Sequence, residues 1–128
     1  MNTFSKDEYH AFLEEGFVIK QDFFNFAEVL IMQNEIERLL SEGKFRNVAT
    51  DEDGKESKSK RNLQLIPLYD HSKVFRSLPF QKKVIQSISE LIGDPHILRL
   101  DQIFVKPAGN GLGTSWHQDN AYFKISNP

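Results

Sequence analysis

Apolar residues recur at helical spacing as far as Ile92, and beyond it the pattern becomes extended. Ser5-Lys6-Asp7-Glu8 has the form of a capping box, in which the Ser5 hydroxyl accepts from the Glu8 backbone N–H and the Glu8 carboxylate accepts from that of Ser5. Phe4 and Tyr9 are spaced for a hydrophobic staple across that cap. The helix presents Tyr9, Phe12 and Leu13 on one face, and Gly16 ends it. Phe17-Val18-Ile19 then predicts a short strand. Asn25 to Glu28 repeats the cap ahead of a longer helix, with Val29, Met32, Ile36, Leu39 and Leu40 as its stripe and Gly43 as its stop. A third helix is predicted from about Pro79 to Ile92, turning Phe80, Val84, Ile85, Ile88, Leu91 and Ile92 inward, and Gly93-Asp94-Pro95 terminates it.

Residues 44–62 break this pattern. Thr50 to Arg61 offers nothing to bury, which predicts an exposed, mobile loop. Its Asp51-Glu52-Asp53 run lacks the ligand spacing of a calcium loop, and its Lys58-Ser59-Lys60-Arg61 cluster is too short for a targeting signal. Pro67 to His71 is a connector. His96 to Lys106 reads as extended, Gly109-Asn110-Gly111-Leu112-Gly113 as a turn, and Trp116 to Phe123 as a second strand. Helices followed by strands predict an α+β fold, with one domain over 1–128 that is mainly helical over 1–95 and begins its sheet over 96–128. Two strands make a poor sheet by themselves, so self-association through an exposed sheet edge is expected.

Composition narrows the function. The apolar share of 39%, with 11 Phe, is enough for a core within 128 residues. A net charge of -2 argues against a general nucleic-acid binder. No apolar run approaches the roughly 20 residues that span a bilayer, and the acidic N-terminus does not read as a signal peptide. The chain has no cysteine, so thiolate metal sites and cysteine nucleophiles are excluded. A soluble cytoplasmic protein is the expectation.

One constellation carries chemistry. His117 and Asp119 lie two apart, so on a strand both point to one face and can reach one ion. An imidazole with a carboxylate and no sulfur suits iron(II) or another divalent first-row metal. The spacing fits equally a structural pair in which Asp119 orients the His117 ring or a nearby backbone group. Gln102 shares the strand parity of Leu98, Leu100 and Phe104, a polar group on an apolar face that needs a partner when buried. The glycine run lacks both the Lys-Ser/Thr ending and the following helix of a phosphate cradle. His10, His71 and His96 read as ordinary polar residues, and Trp116 and Tyr122 as core or pocket aromatics.

Two stretches resemble the phytanoyl-CoA dioxygenase family. Glu14-Glu15-Gly16-Phe17-Val18-Ile19 is similar to its opening helix-to-strand step. Phe104-Val105-Lys106-Pro107-Ala108-Gly109-Asn110-Gly111, followed by Trp116-His117-Gln118-Asp119-Asn120-Ala121-Tyr122-Phe123, is similar to its signature segment. The resemblance implies N-terminal helices packed on the start of a double-stranded β-helix, a cupin-like jelly roll, that the chain does not complete. It implies an iron(II)- and 2-oxoglutarate-dependent dioxygenase that hydroxylates an unactivated C–H bond while 2-oxoglutarate decarboxylates to succinate. His117 and Asp119 become the first two iron ligands and Gln102 a cosubstrate contact; Lys106, by its strand parity alone, is placed either near a carboxylate or as an ordinary solvated strand-end residue. Where some members place a Lys, this chain has Asn62. The family's distal His and its 2-oxoglutarate-gripping Arg fall beyond the equivalent of Pro128. The chain is therefore expected to be the front of a longer enzyme and inactive alone. The alternative is a shortened, non-catalytic relative used for binding or assembly.

Overall fold

The computed structural model describes residues 3–125. The chain divides into two compact units, each assembled from two stretches. The first is Met1–Arg46 with Gln64–Phe104, and the second is Asn47–Leu63 with Val105–Pro128. The architecture is mixed helix and sheet, as an α+β order predicts. Three strands of two or three residues, β1 (Arg46–Asn47), β2 (Leu63–Leu65) and β3 (Ile103–Val105), form one open antiparallel sheet in the order β1-β2-β3.

Both predicted capping boxes form. Helix α1 (Lys6–Glu15) begins at Ser5, whose Oγ accepts from Glu8 N at 3.2 Å while Ser5 N donates to Glu8 Oε2 at 2.7 Å. It ends at Gly16, whose φ of 79° is left-handed. Helix α2 (Phe26–Ser41) begins at Asn25 in the same way with Glu28. The Glu28 carboxylate also meets Lys83 Nζ at 2.6 Å, so one side chain caps α2 and ties it to α4 (Lys82–Ile92). Lys83 donates further to the Phe23 carbonyl and lies over the Phe24 ring.

The α2 stripe turns Met32, Ile36 and Leu39 onto the core of the first unit. Leu39, Leu65, Leu68 and Phe75 are buried there, with Phe45, Leu78 and Ile103 packed against them. Phe75 comes from α3 (Lys73–Ser77), a helix of five residues that periodicity is too short to reveal, capped by Ser72 Oγ accepting from Phe75 N at 3.1 Å. The Glu35 carboxylate on α2 accepts from Arg38, which also bonds Glu42 and the His71 carbonyl. The Arg38 guanidinium holds Glu35 down to about 2, against a usual value of 4.5.

Several expectations are corrected. Phe17-Val18-Ile19 is not a strand: it has no neighbour to pair with among the described residues, and Phe17 and Ile19 are exposed. The third predicted helix splits, because Gln81 takes an extended conformation (ψ 138°); Leu78–Phe80 forms a single 3-10 turn and α4 starts at Lys82. Its intended inward face is open, with Phe80, Ile85, Ile88 and Ile92 exposed beside Ile97 and Leu98. Thr50 to Arg61 is exposed as expected, except at Ser57, and the segment carries internal order. Ala49 and Ser57 are buried, Ser57 N donates to Ala49 O at 2.8 Å, and Asp51 N donates to Lys55 O at 2.9 Å, so the segment doubles back across a turn at Gly54. No helix among the described residues is long and apolar enough to cross a membrane.

Candidate metal and cosubstrate site

The second unit is organised by two asparagines and a glycine turn. Gly111 N donates to Pro107 O at 3.0 Å, and a methyl group on Gly111 would meet that oxygen at 2.9 Å, so the turn needs glycine. The turn pins Arg61, whose N donates to Asn110 O at 2.9 Å and whose carbonyl accepts from Leu112 N at 3.2 Å. Asn62 follows, its carbonyl accepting from Val48 N at 2.8 Å. The Asn47 carboxamide staples the surrounding chain. Its Oδ1 accepts from Asn62 N at 2.9 Å and Ala49 N at 3.3 Å, and its Nδ2 donates to the carbonyls of Ser57 and Lys60.

A cavity of about 440 Å³ opens against this scaffold, wholly within the second unit; Val48, Asn62, Leu112, Trp116, His117 and Tyr122 contribute to its wall. The predicted second strand over Trp116–Phe123 does not form. Thr114 to Gln118 is irregular, and the chain then closes a single helical turn, α5 (Asn120–Phe123). Tyr122 N and Phe123 N donate to the Asp119 carbonyl at 2.9 and 3.1 Å. The Asn120 carboxamide exchanges two hydrogen bonds with Ile125. These local partners satisfy the backbone without a strand neighbour.

Strand parity therefore does not align His117 and Asp119, yet their side chains converge. His117 Nε2 lies 3.4 Å from Asp119 Oδ1, with the His117 side chain 41% and the Asp119 side chain 72% exposed. The Ser115 carbonyl lies 2.8 Å from His117 Nδ1. A carbonyl can only accept, so Nδ1 carries the proton and Nε2 keeps its lone pair when the ring is neutral. The Tyr122 ring stands edge-on to the imidazole at 5.8 Å between centroids.

This donor set fits a divalent first-row metal. Two donors each about 2.1 Å from one ion stand about 3.0 Å apart at the right angle of an octahedral site and about 3.4 Å apart at a tetrahedral angle, so the pair lies within a few tenths of an ångström of either. A ring nitrogen anchored through its other N–H to a carbonyl is the usual support of a metal-bound histidine. No third His, Asp or Glu gathers with the pair among the described residues. When the ring is protonated, the same spacing serves an imidazolium–carboxylate ion pair.

Gln102 lies in the first unit, partly buried, and its Oε1 accepts from Gln64 Nε2 at 2.9 Å. It has found a partner, though its parity is not that of the core: Ile103 packs inward, while Leu98 and Phe104 are exposed. Lys106 Nζ donates to Thr114 Oγ1 at 3.2 Å. The residue that sequence reasoning underrated is Asn62, which is nine-tenths buried; its place in the family pattern was the available signal.

Sequence comparison supplies the family. The profile of phytanoyl-CoA dioxygenase (PhyH) matches residues 12–128, nearly the whole chain, and the chain belongs to that family. At the level of the family, membership implies iron(II)- and 2-oxoglutarate-dependent oxygenase chemistry. No curated protein and no solved structure matches the chain.

Proposed function

We propose that the chain carries the metal- and cosubstrate-binding part of an iron(II)- and 2-oxoglutarate-dependent dioxygenase that hydroxylates a small organic substrate. His117 and Asp119 are the protein's metal ligands in this reading, and Gln102 contacts 2-oxoglutarate. The jelly-roll architecture belongs to the same proposal. The observation that carries it is the 3.4 Å approach of His117 Nε2 to Asp119 Oδ1, with Nδ1 anchored on Ser115.

Bound iron with 2-oxoglutarate would activate dioxygen, the oxidant that C–H hydroxylation and the conversion of 2-oxoglutarate to succinate both require. The chain's own residues have simpler tasks. Ser115 fixes the imidazole tautomer so that Nε2 can bind metal, and Asp119 adds a negative oxygen beside it. With its Oε1 held by Gln64, Gln102 keeps amide N–H groups that suit a carboxylate oxygen. Two protein donors hold a divalent ion more weakly than three, so the affinity of this chain is expected to be low and its succinate release with iron(II) and ascorbate negligible.

Manganese(II) titration followed by electron paramagnetic resonance tests the ligand assignment. The expected result is one saturable site that His117→Ala abolishes. Equal binding by both proteins removes the metal role and leaves the pair as an ion pair in a non-catalytic binding or assembly module, the reading that its exposed position also permits.

A further inference from the structure

We infer that Arg46 is a positioning residue for Gln102: acting through the Gln64 carboxamide, it fixes which end of Gln102 is left for a ligand, and that end is the NH₂ group. That the ligand is 2-oxoglutarate rests on the oxygenase reading above; the polarity of the relay does not.

The three side chains form one hydrogen-bonded row, all within the first unit. Arg46 lies on β1, Gln64 at the middle of β2, and Gln102 immediately before β3. Arg46 Nη2 and Nε donate to Gln64 Oε1 at 2.8 and 3.3 Å, and Gln64 Nε2 donates to Gln102 Oε1 at 2.9 Å. Gln64 and Gln102 are half-buried, while Arg46 is exposed. Gln64 is the one side chain to which the Arg46 guanidinium donates among the described residues.

A carboxamide has a donor end and an acceptor end, and turning it over exchanges them. Alone, Gln64 and Gln102 could bond with either residue donating. Arg46 removes that choice. A guanidinium presents N–H groups and no acceptor, so the Gln64 atom facing it is oxygen. Gln64 then has only its NH₂ to offer, and Gln102 must answer with oxygen. Turning Gln102 over would bring two NH₂ groups together and lose the bond. The Gln102 Nε2 that remains donates to no acceptor among the described residues. Its N–H groups take a carbonyl, hydroxyl or carboxylate oxygen, and the carboxylate most strongly, because a charged acceptor makes the shorter and stronger bond. A cation at one end of the row thus favours an anion at the other, through two carboxamides.

Water exchange of the side-chain NH₂ groups, followed by ¹H–¹⁵N NMR on the full, metal-free chain, reads this polarity directly. In the wild type the bonded Gln64 NH₂ should exchange about fivefold more slowly than that of Gln102, the scale of one net hydrogen bond. Arg46→Glu places an acceptor at the head of the row, so both carboxamides should turn over and the order reverse. Arg46→Lys, again a donor only, should keep the wild-type order, and Arg46→Met should bring the two rates within about twofold. A role in stability alone would change both rates together and leave their order. An unchanged order in Arg46→Glu overturns the inference, and so does a wild type in which Gln102 exchanges more slowly. If Arg46→Glu does not fold, Arg46→Lys and Arg46→Met decide, and a difference that survives in Arg46→Met overturns the inference. 2-Oxoglutarate with zinc(II), added last to the wild type, should shift the Gln102 NH₂ saturably. Reversed exchange in Arg46→Glu without that response upholds the relay and overturns the cosubstrate contact, so the two failures are separate results.

Discussion

The Nδ1 of His117 lies 2.8 Å from the carbonyl oxygen of Ser115, two residues earlier in an irregular stretch of chain. The contact is made by backbone, not by the serine hydroxyl. Ser115→Ala should therefore leave manganese affinity unchanged, while Asp119→Asn, which removes the anionic oxygen beside Nε2, should lower it by about tenfold or more. Paramagnetic titration of both variants checks the contrast. A loss in Ser115→Ala equal to that in Asp119→Asn would show that the backbone contact does not set the ring.

Leu39 is fully buried at the centre of the first unit's core. Truncation to alanine removes its contacts with Leu65, Leu68 and Phe75 and leaves a cavity, at an expected cost of about 2–5 kcal/mol. Urea unfolding followed by circular dichroism measures it. A cost below about 1 kcal/mol would place the core elsewhere.

Glu35 provides a pH-dependent contribution. Its folded value, about 2, lies below the usual 4.5, so its share of stability is complete above pH 4.5 and is lost as pH falls towards 2. The Glu35 side chain is 13% exposed but Arg38 is 42% exposed, and screening reduces the contribution to about 1 kcal/mol. Glu35→Gln should be less stable than the parent by that amount at pH 7 and equal to it near pH 2. Urea midpoints at the two pH values decide, and a constant difference would show that packing rather than charge is responsible.

Asn47 accepts two backbone N–H groups and donates to two carbonyls, all within the second unit. Asn47→Ala leaves these partners without their bonds and should cost about 1–3 kcal/mol locally. Hydrogen exchange at the Ala49 and Asn62 amides should accelerate, with Leu39 and Ile36 amides in α2 unchanged. Equal acceleration in α2 would mean that the effect is global unfolding.

These contrasts show which features are legible in the sequence. The helix starts at Ser5 and Asn25 could be read because a capping box closes within four residues, and no distant partner is needed. The α2 stripe and its end at Gly43 are local in the same sense. β1 and β2 were not legible, because two or three residues are too few to display a period of two and their existence depends on pairing with remote chain, whereas β3 falls within the extended stretch read over His96 to Lys106. Periodicity at 98, 100, 102 and 104 selected the wrong face, since Ile103 is the residue that packs inward. The polar stretch before Asn62 folds through the carboxamide of Asn47, which composition treats as a loop residue.

The site divides along the same line. His117 and Asp119 were found through residue type and spacing, but the geometry that brings them together is irregular chain closed by α5. Strand parity paired His117 with Asp119 through a conformation that the chain does not adopt, and their 3.4 Å approach arises in irregular chain instead. Asn62 required the structure, because a sealed Oδ1 with no hydrogen-bond partner among the described residues is a property of surroundings and not of sequence.

The open face of α4 has a practical consequence. Phe80, Ile92 and Ile97 stand 63%, 64% and 86% exposed, next to Ile85, Ile88 and Leu98. Greasy surface of this kind in a native protein binds the reporter dyes commonly used to detect denaturation. A thermal-shift assay on this chain should begin from a bright baseline, and retention on a phenyl resin should be strong before any heating. Ile92→Lys, at the end of the helix, should dim that baseline while the unfolding midpoint seen by circular dichroism stays in place.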